Sequence, residues 1–114
     1  MSNKISNDLI RGHTDTIVLN ILQQHDSYGY QMYKTILELS EGQYELKEAT
    51  LYTAFRRLEK EGYIASYWGD ETQGGRRKYY RITAEGEERF KQNKKDWEFA
   101  KEILNKLIEG GGGE

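Results

Sequence analysis

Residues 48–83, EATLYTAFRRLEKEGYIASYWGDETQGGRRKYYRIT, constrain the fold of this chain more than any other stretch. Leu51, Phe55 and Leu58 recur at i, i+4 and i+7, the spacing of one buried helix face. At about 100° per residue, Ala49, Thr53, Arg56 and Lys60 fall on the opposite face, with Thr50 and Arg57 beside it. That outer face is small, hydroxylic and basic. Tyr52 lies on its flank, where it can pack inward or bond a phosphate. Gly62 marks the end of the helix. Two β-rich runs follow, 63–68 and 78–82, separated by a polar turn. The turn carries Gln73, Gly74 and Gly75 and leads into a basic edge of Arg76, Arg77 and Lys78. A helix with a basic outer face, followed at once by a hairpin with a basic tip, predicts a winged helix-turn-helix and a surface for double-stranded DNA. In that reading the helix enters the major groove. Its Thr and Tyr hydroxyls meet phosphates or base edges, and Arg reads guanine or phosphate. The Gly pair lets the wing backbone approach closely while the Arg pair supplies charge.

The global charge looks unfavourable for nucleic acid, at −2. The local balance is different. Residues 50–81 hold seven basic and four acidic groups, a net of +3, which leaves −5 for the rest. Near a surface the field is local over a Debye length of about 8 Å, so one concentrated basic edge can still hold phosphate. With 114 residues, one domain with an appended helix is expected. At 36% hydrophobic residues its core is thin, so part of the apolar surface is expected to be completed by a second copy. No apolar run is long enough to span a membrane. The opening MSNKISNDLI lacks the apolar segment of a secretory leader, so a cytoplasmic protein is expected. There is no cysteine, and His13 and His25 have no third histidine near them, so no metal site or cofactor is expected. No nucleophile–base pair or paired carboxylates stand out, which argues against an enzyme.

Residues 8–24 read as one helix with Asn7 or Asp8 as its cap. Ile10, Ile17, Val18, Ile21 and Leu22 form its apolar face, and Leu9, Gly12, Thr16 and Asn20 a second stripe. Two non-random faces imply packing on two surfaces. A second helix is expected from Tyr28-Gly29-Tyr30 to about Ser40, capped by Ser27, with Met32, Tyr33, Ile36 and Leu37 inward. Glu41-Gly42-Gln43 ends it, and Tyr44-Glu45-Leu46 links to the helix at 48–61. Thr83 is expected to cap a last helix over 84–109. There Phe90, Trp97 and Leu104 repeat every seven residues, Ala100 and Leu107 fill between, and Phe99, Ile103 and Ile108 widen the stripe. Such a helix has no obvious home on a domain already closed by three others, so it is expected to pack between subunits of a homodimer; the alternative, compatible with it in part, is that it packs back on the first helix of its own chain. The expected organisation is a DNA-binding domain over 5–83, a dimerisation helix over 84–109 and a disordered tail over 110–114. Trp68 is expected to be structural within the hairpin.

Gly29-Tyr30, Glu48-Ala49-Thr50-Leu51-Tyr52, the run from Arg57 to Gly62, Tyr67-Trp68-Gly69 and the wing GGRRKYYRIT together resemble the PadR family of bacterial transcriptional regulators. The resemblance spans roughly 9–105, and the short chain with a single C-terminal helix is similar to the smaller subfamily. It implies a dimeric winged-helix repressor. In the branch it most resembles, members repress multidrug-transporter genes and release DNA when a planar aromatic ligand enters a pore at the dimer interface. There the tryptophan of the terminal helix and its symmetry mate sandwich the ligand, a role that carries to Trp97. The facing positions of the first helix carry to Leu9, Gly12, Asp15, Thr16 and Asn20. Many members start the recognition helix with Ser-Pro and follow Leu-Tyr with proline; here Lys47, Glu48 and Thr53 stand there. Lys94 and Lys101, three before and four after Trp97, lie on its side of the helix. They would disfavour cationic ligands unless Asp15 pairs with them, which makes neutral or anionic planar molecules candidates. The alternative, of another class, is a winged-helix protein-interaction module without ligand sensing.

Overall fold

The computed structural model describes residues 4–69 and 76–111. Gln73, Gly74, Gly75 and the tail beyond Gly111 lie outside the described residues. The chain is mainly helical, with one antiparallel hairpin and a long terminal helix. In order, α1 (Asn7–Ile10) leads through a 3-10 turn (Arg11–His13) into α2 (Thr14–Gln24), then α3 (Gly29–Leu39) and α4 (Glu48–Lys60). The hairpin is β1 (Ile64–Trp68) and β2 (Lys78–Ile82), and α5 (Ala84–Glu109) closes the chain.

The expected single helix over 8–24 is broken. Residues 11–13 tighten to 3-10 geometry, and His13 leaves helical backbone at φ −112°, ψ 3°. Gly12 is a poor helix former, and the Thr14 hydroxyl bonds back to the Arg11 carbonyl at 3.4 Å, both of which disturb a regular turn. The cap is Ser6, one residue earlier than expected, accepting from the Asp8 amide. Ser27 does not cap α3. It is fully buried, and its amide and carbonyl exchange hydrogen bonds with Tyr80 at 3.1 and 2.8 Å. The corner before α3 is thereby tied to the middle of β2.

Tyr44 and Leu46 peg the long helix-turn-helix connection into the core. The chain reverses at Glu41 and Gly42, both at positive φ, and the Gly42 amide reaches back to the Leu37 carbonyl at 2.8 Å. The Ser40 hydroxyl then accepts from the Tyr44 amide at 3.0 Å. The connection is thus held by buried side chains and local hydrogen bonds rather than by shortness.

The core gathers Val18, Leu19, Ile21 and Leu22 from α2, Met32 and Ile36 from α3, and Leu51, Phe55 and Leu58 from α4. Ile64 and Tyr80 add the inner face of the hairpin. Phe55 stacks on Tyr80 at 4.1 Å between ring centroids, so the recognition helix and the wing share one aromatic contact. Gly62, at φ +84°, makes the turn from α4 to β1. At the start of α5, a Cβ on Gly86 would lie 2.0 Å from the Tyr63 carbonyl oxygen, so this close approach requires glycine.

Thr83 caps α5 as expected. Its hydroxyl accepts from the Gly86 amide at 3.0 Å and donates to the Gly62 carbonyl at 2.7 Å. Thr83→Ala is expected to lower unfolding free energy by about 1–2 kcal/mol, measured by urea titration. The Cα radius of gyration is 16.7 Å, against about 13 Å for a compact chain of this length. The excess belongs to α5, whose only buried residue is Gly86.

Candidate nucleic-acid interface and aromatic pocket

The outer face of α4 presents Thr50, Thr53, Arg56 and Lys60 to solvent, because Leu51, Ala54, Phe55 and Leu58 take the inner face. Thr53 bonds the Ala49 carbonyl at 3.1 Å, and Arg56 reaches the Thr53 hydroxyl at 3.5 Å. Tyr52 divides its ring between two surroundings. It meets Phe55 edge-on at 5.8 Å and covers Gly29, where an added Cβ would lie 2.3 Å from its hydroxyl oxygen, yet it stays half-exposed. Arg57 takes a different direction from its neighbours. It turns to Asp15 of α2, with Nε donating to Oδ2 at 3.3 Å and Nη2 donating to Oδ1. That hydrogen bond raises the pKa of Arg57 further.

The wing cations rest on aromatic rings. Arg76 lies over Trp68 at 5.7 Å, Arg77 over Tyr28 at 4.8 Å and Lys78 over Tyr80 at 5.8 Å. Trp68 lies in the hairpin at the end of β1, where the pairing Trp68↔Lys78 ends the described ladder, and its ring is exposed. Tyr67 stacks on Tyr79 at 5.6 Å and donates a hydrogen bond to Asp26 at 2.6 Å, which raises the tyrosine pKa. The base of the wing is therefore clamped to the α2–α3 corner at Asp26, Ser27 and Tyr28. The sequence reading missed this clamp because no periodic signal links a loop to a distant strand.

The other candidate set surrounds Trp97. His13 from the 3-10 turn meets the indole edge-on at 4.8 Å and 71°. A cavity of about 650 Å³ opens on one side, lined among others by Leu9, Thr16, Asn20, Phe90, Lys94 and Trp97. A second of about 340 Å³ lies beside Gly12, His13, Asp15, Thr16, Asp96 and Trp97. His13, Thr16 and Trp97 border both. Lys101 borders neither; it pairs with Glu98 at 3.0 Å and lies 5.8 Å from the Trp97 ring. His13 was missed as a pocket residue, having been weighed for catalysis or metal binding. Among the described residues no three His, Cys, Asp or Glu side chains gather to hold a metal.

Residues 18–92 match the PadR-like family of transcriptional regulators. The chain belongs to that family. A transcriptional regulator from Clostridium thermocellum is 51% identical, with a TM-score of 0.85 over 92% of this chain and 99% of that one. A PadR family regulator from Clostridium difficile is 39% identical, with a TM-score of 0.74 over 84% and 98%. An uncharacterized protein of Lysinibacillus sphaericus is 42% identical over 93% of this chain and 97% of its own length. As a PadR-like regulator the chain is a non-enzymatic, DNA-binding protein. No described helix is long and apolar enough to cross a membrane.

Proposed function

We propose that this PadR-like regulator is a homodimeric repressor, released from its operator by planar aromatic ligands bound against Trp97 at the dimer interface. Multidrug-transporter genes are the target class. The observation that carries the reading is the setting of Trp97. Its indole is 39% exposed at the border of two cavities, on a helix that goes on to expose Phe99, Leu104, Leu107 and Ile108. A two-fold axis near that helix doubles the indole and makes a two-faced stacking slot.

The DNA contacts assigned to this function are Thr50, Tyr52, Thr53, Arg56 and Lys60 on α4 and Arg76, Arg77 and Lys78 on the wing. In a dimer the two recognition helices must match half-sites one helical turn, about 34 Å, apart. A small rotation at the interface alters that fit.

Trp97→Ala is expected to abolish binding of planar aromatics while leaving operator affinity within about twofold, since truncation there touches none of these DNA contacts. Ethidium and riboflavin serve as probes, and the anisotropy of their own fluorescence reports binding, so the readout survives the loss of Trp97, one of two tryptophans in the chain. If both probes keep parental affinity without Trp97, the pocket reading is wrong.

A further inference from the structure

Asp15 stands where the aromatic pocket meets the recognition helix. It lies in the first turn of α2 and lines the smaller cavity beside Trp97. On its other side both carboxylate oxygens accept from Arg57 of α4. Side-chain exposure is 46% for Arg57 and 32% for Asp15, so the pair is partly withdrawn from water. Arg11–Asp8, Lys91–Glu88 and Lys101–Glu98 each join positions three residues apart, whereas this pair ties α2 to α4. A bidentate guanidinium–carboxylate pair of this kind is directional and fixes the two elements relative to each other.

The smaller cavity has the chemistry of a site for a flat cation. Trp97 and His13 give it aromatic walls, and Gly12, Thr16 and Ala100 keep it open. Asp15 and Asp96 supply carboxylates, and among the described residues no lysine or arginine borders it. Lys94 borders the larger cavity instead, and Glu98 holds Lys101. A positive ring system stacked on indole gains from the ring quadrupole and from a carboxylate at its edge.

We propose that the Arg57 guanidinium and a planar aromatic cation seated against Trp97 compete for Asp15, so that ligand binding loosens α4 from α2. The proposal rests on the ligand-sensing reading above and adds two things: the charge class of the inducer and the contact through which α4 feels it. Arg57 is thereby a positioning residue of the recognition helix rather than a DNA contact. The coupling is reciprocal: DNA that requires the anchored helix disfavours the cation to the same degree.

The test uses the full chain in the Trp68→Phe background, with ethidium as planar cation and riboflavin as neutral planar control. Arg57→Gln is expected to tighten ethidium about fivefold, the scale of a half-exposed ion pair, and to leave riboflavin unchanged. Asp15→Asn is expected to weaken ethidium by a similar factor, and Asp15→Glu to retain it. With Asp15→Asn in place, Arg57→Gln has no further effect, which closes a double-mutant cycle. Circular dichroism confirms that each variant is folded. An unchanged ethidium affinity in Arg57→Gln, or an equal shift of both probes, overturns the competition. The ligand-sensing reading then still stands, provided Trp97→Ala abolishes probe binding as read by the anisotropy of the probes' own fluorescence. Probe binding that survives Trp97→Ala at parental affinity overturns both.

Discussion

Replacing Arg76 and Arg77 together with alanine is expected to remove operator binding at physiological salt while leaving the fold intact. Both side chains are exposed, and neither belongs to the core cluster. Arg76 lies over Trp68 and Arg77 over Tyr28, rings on or beside the clamped base of the wing. That contact partly orders two long side chains before DNA arrives and lowers the entropy lost on binding. A dimer loses four cations. If each neutralises one phosphate, the slope of log affinity against log salt falls by about 3–4, and affinity near 0.15 M falls about a thousandfold. Anisotropy titrations of a two-fold-symmetric upstream site over a range of salt measure both quantities. Parallel salt dependences for parent and variant would show that the wing does not lie on the phosphate backbone. Arg56→Ala sits on the groove-facing side of α4 instead, and is expected to flatten discrimination between operator sequences more than it changes the salt slope.

Periodicity made most of the architecture legible. The α4 face, the strand at 78–82 and the helix over 84–109 lie where spacing and turn residues place them, because each signal is local and repeats. What the spacing could not show was contact between distant segments. Arg57 lies beside the outer stripe on a helical wheel, yet it points to a carboxylate on α2. Asp15 entered through the resemblance as a ligand-facing position, and it lies beside a cavity. That its other side grips the recognition helix depends on how α2 crosses α4, which no one-dimensional pattern encodes. Ser27 was read as a cap because serine before a helix often is one, but tertiary pairing with Tyr80 overrode the local preference.

The same contacts change how the parts relate. The wing is joined to α4 through Phe55 and Tyr80 and to the α2–α3 corner through Ser27 and Asp26. Glu59 on α4 adds a third tie by accepting from the Ser66 hydroxyl at 2.6 Å. The proposed DNA-contacting surface is therefore tied into one unit within a subunit. On the proposed function, regulation acts on how α4 is anchored to α2, or on how two such units are spaced, rather than on the wing alone.

Spacing is the property that α5 is expected to govern, and Leu104→Glu combined with Leu107→Glu should expose it. The helix is 26 residues, or about 39 Å, long. Its first half meets the domain: Phe90 packs on the core cluster and Trp97 meets His13. Farther along, Phe99, Leu104, Leu107 and Ile108 are exposed, the last two at 74% and 77%. Surface apolar residues are ordinary singly, but four on one helix end make a patch that invites burial. A second copy satisfies it by isologous packing. Two carboxylates placed in that stripe would have to be desolvated in the dimer and remain hydrated in the monomer, so the substitution acts on association. Equilibrium sedimentation is expected to report half the parental mass. Operator affinity is expected to fall about a thousandfold, because the second half-site then binds from bulk solution instead of at millimolar effective concentration. Circular dichroism of the variant should keep its helical signal, since Val18, Phe55 and Tyr80 form a core that needs nothing from the last two turns of α5. A variant that sediments like the parent would place the dimer contact elsewhere and remove the basis for a stacking slot formed by two copies of Trp97.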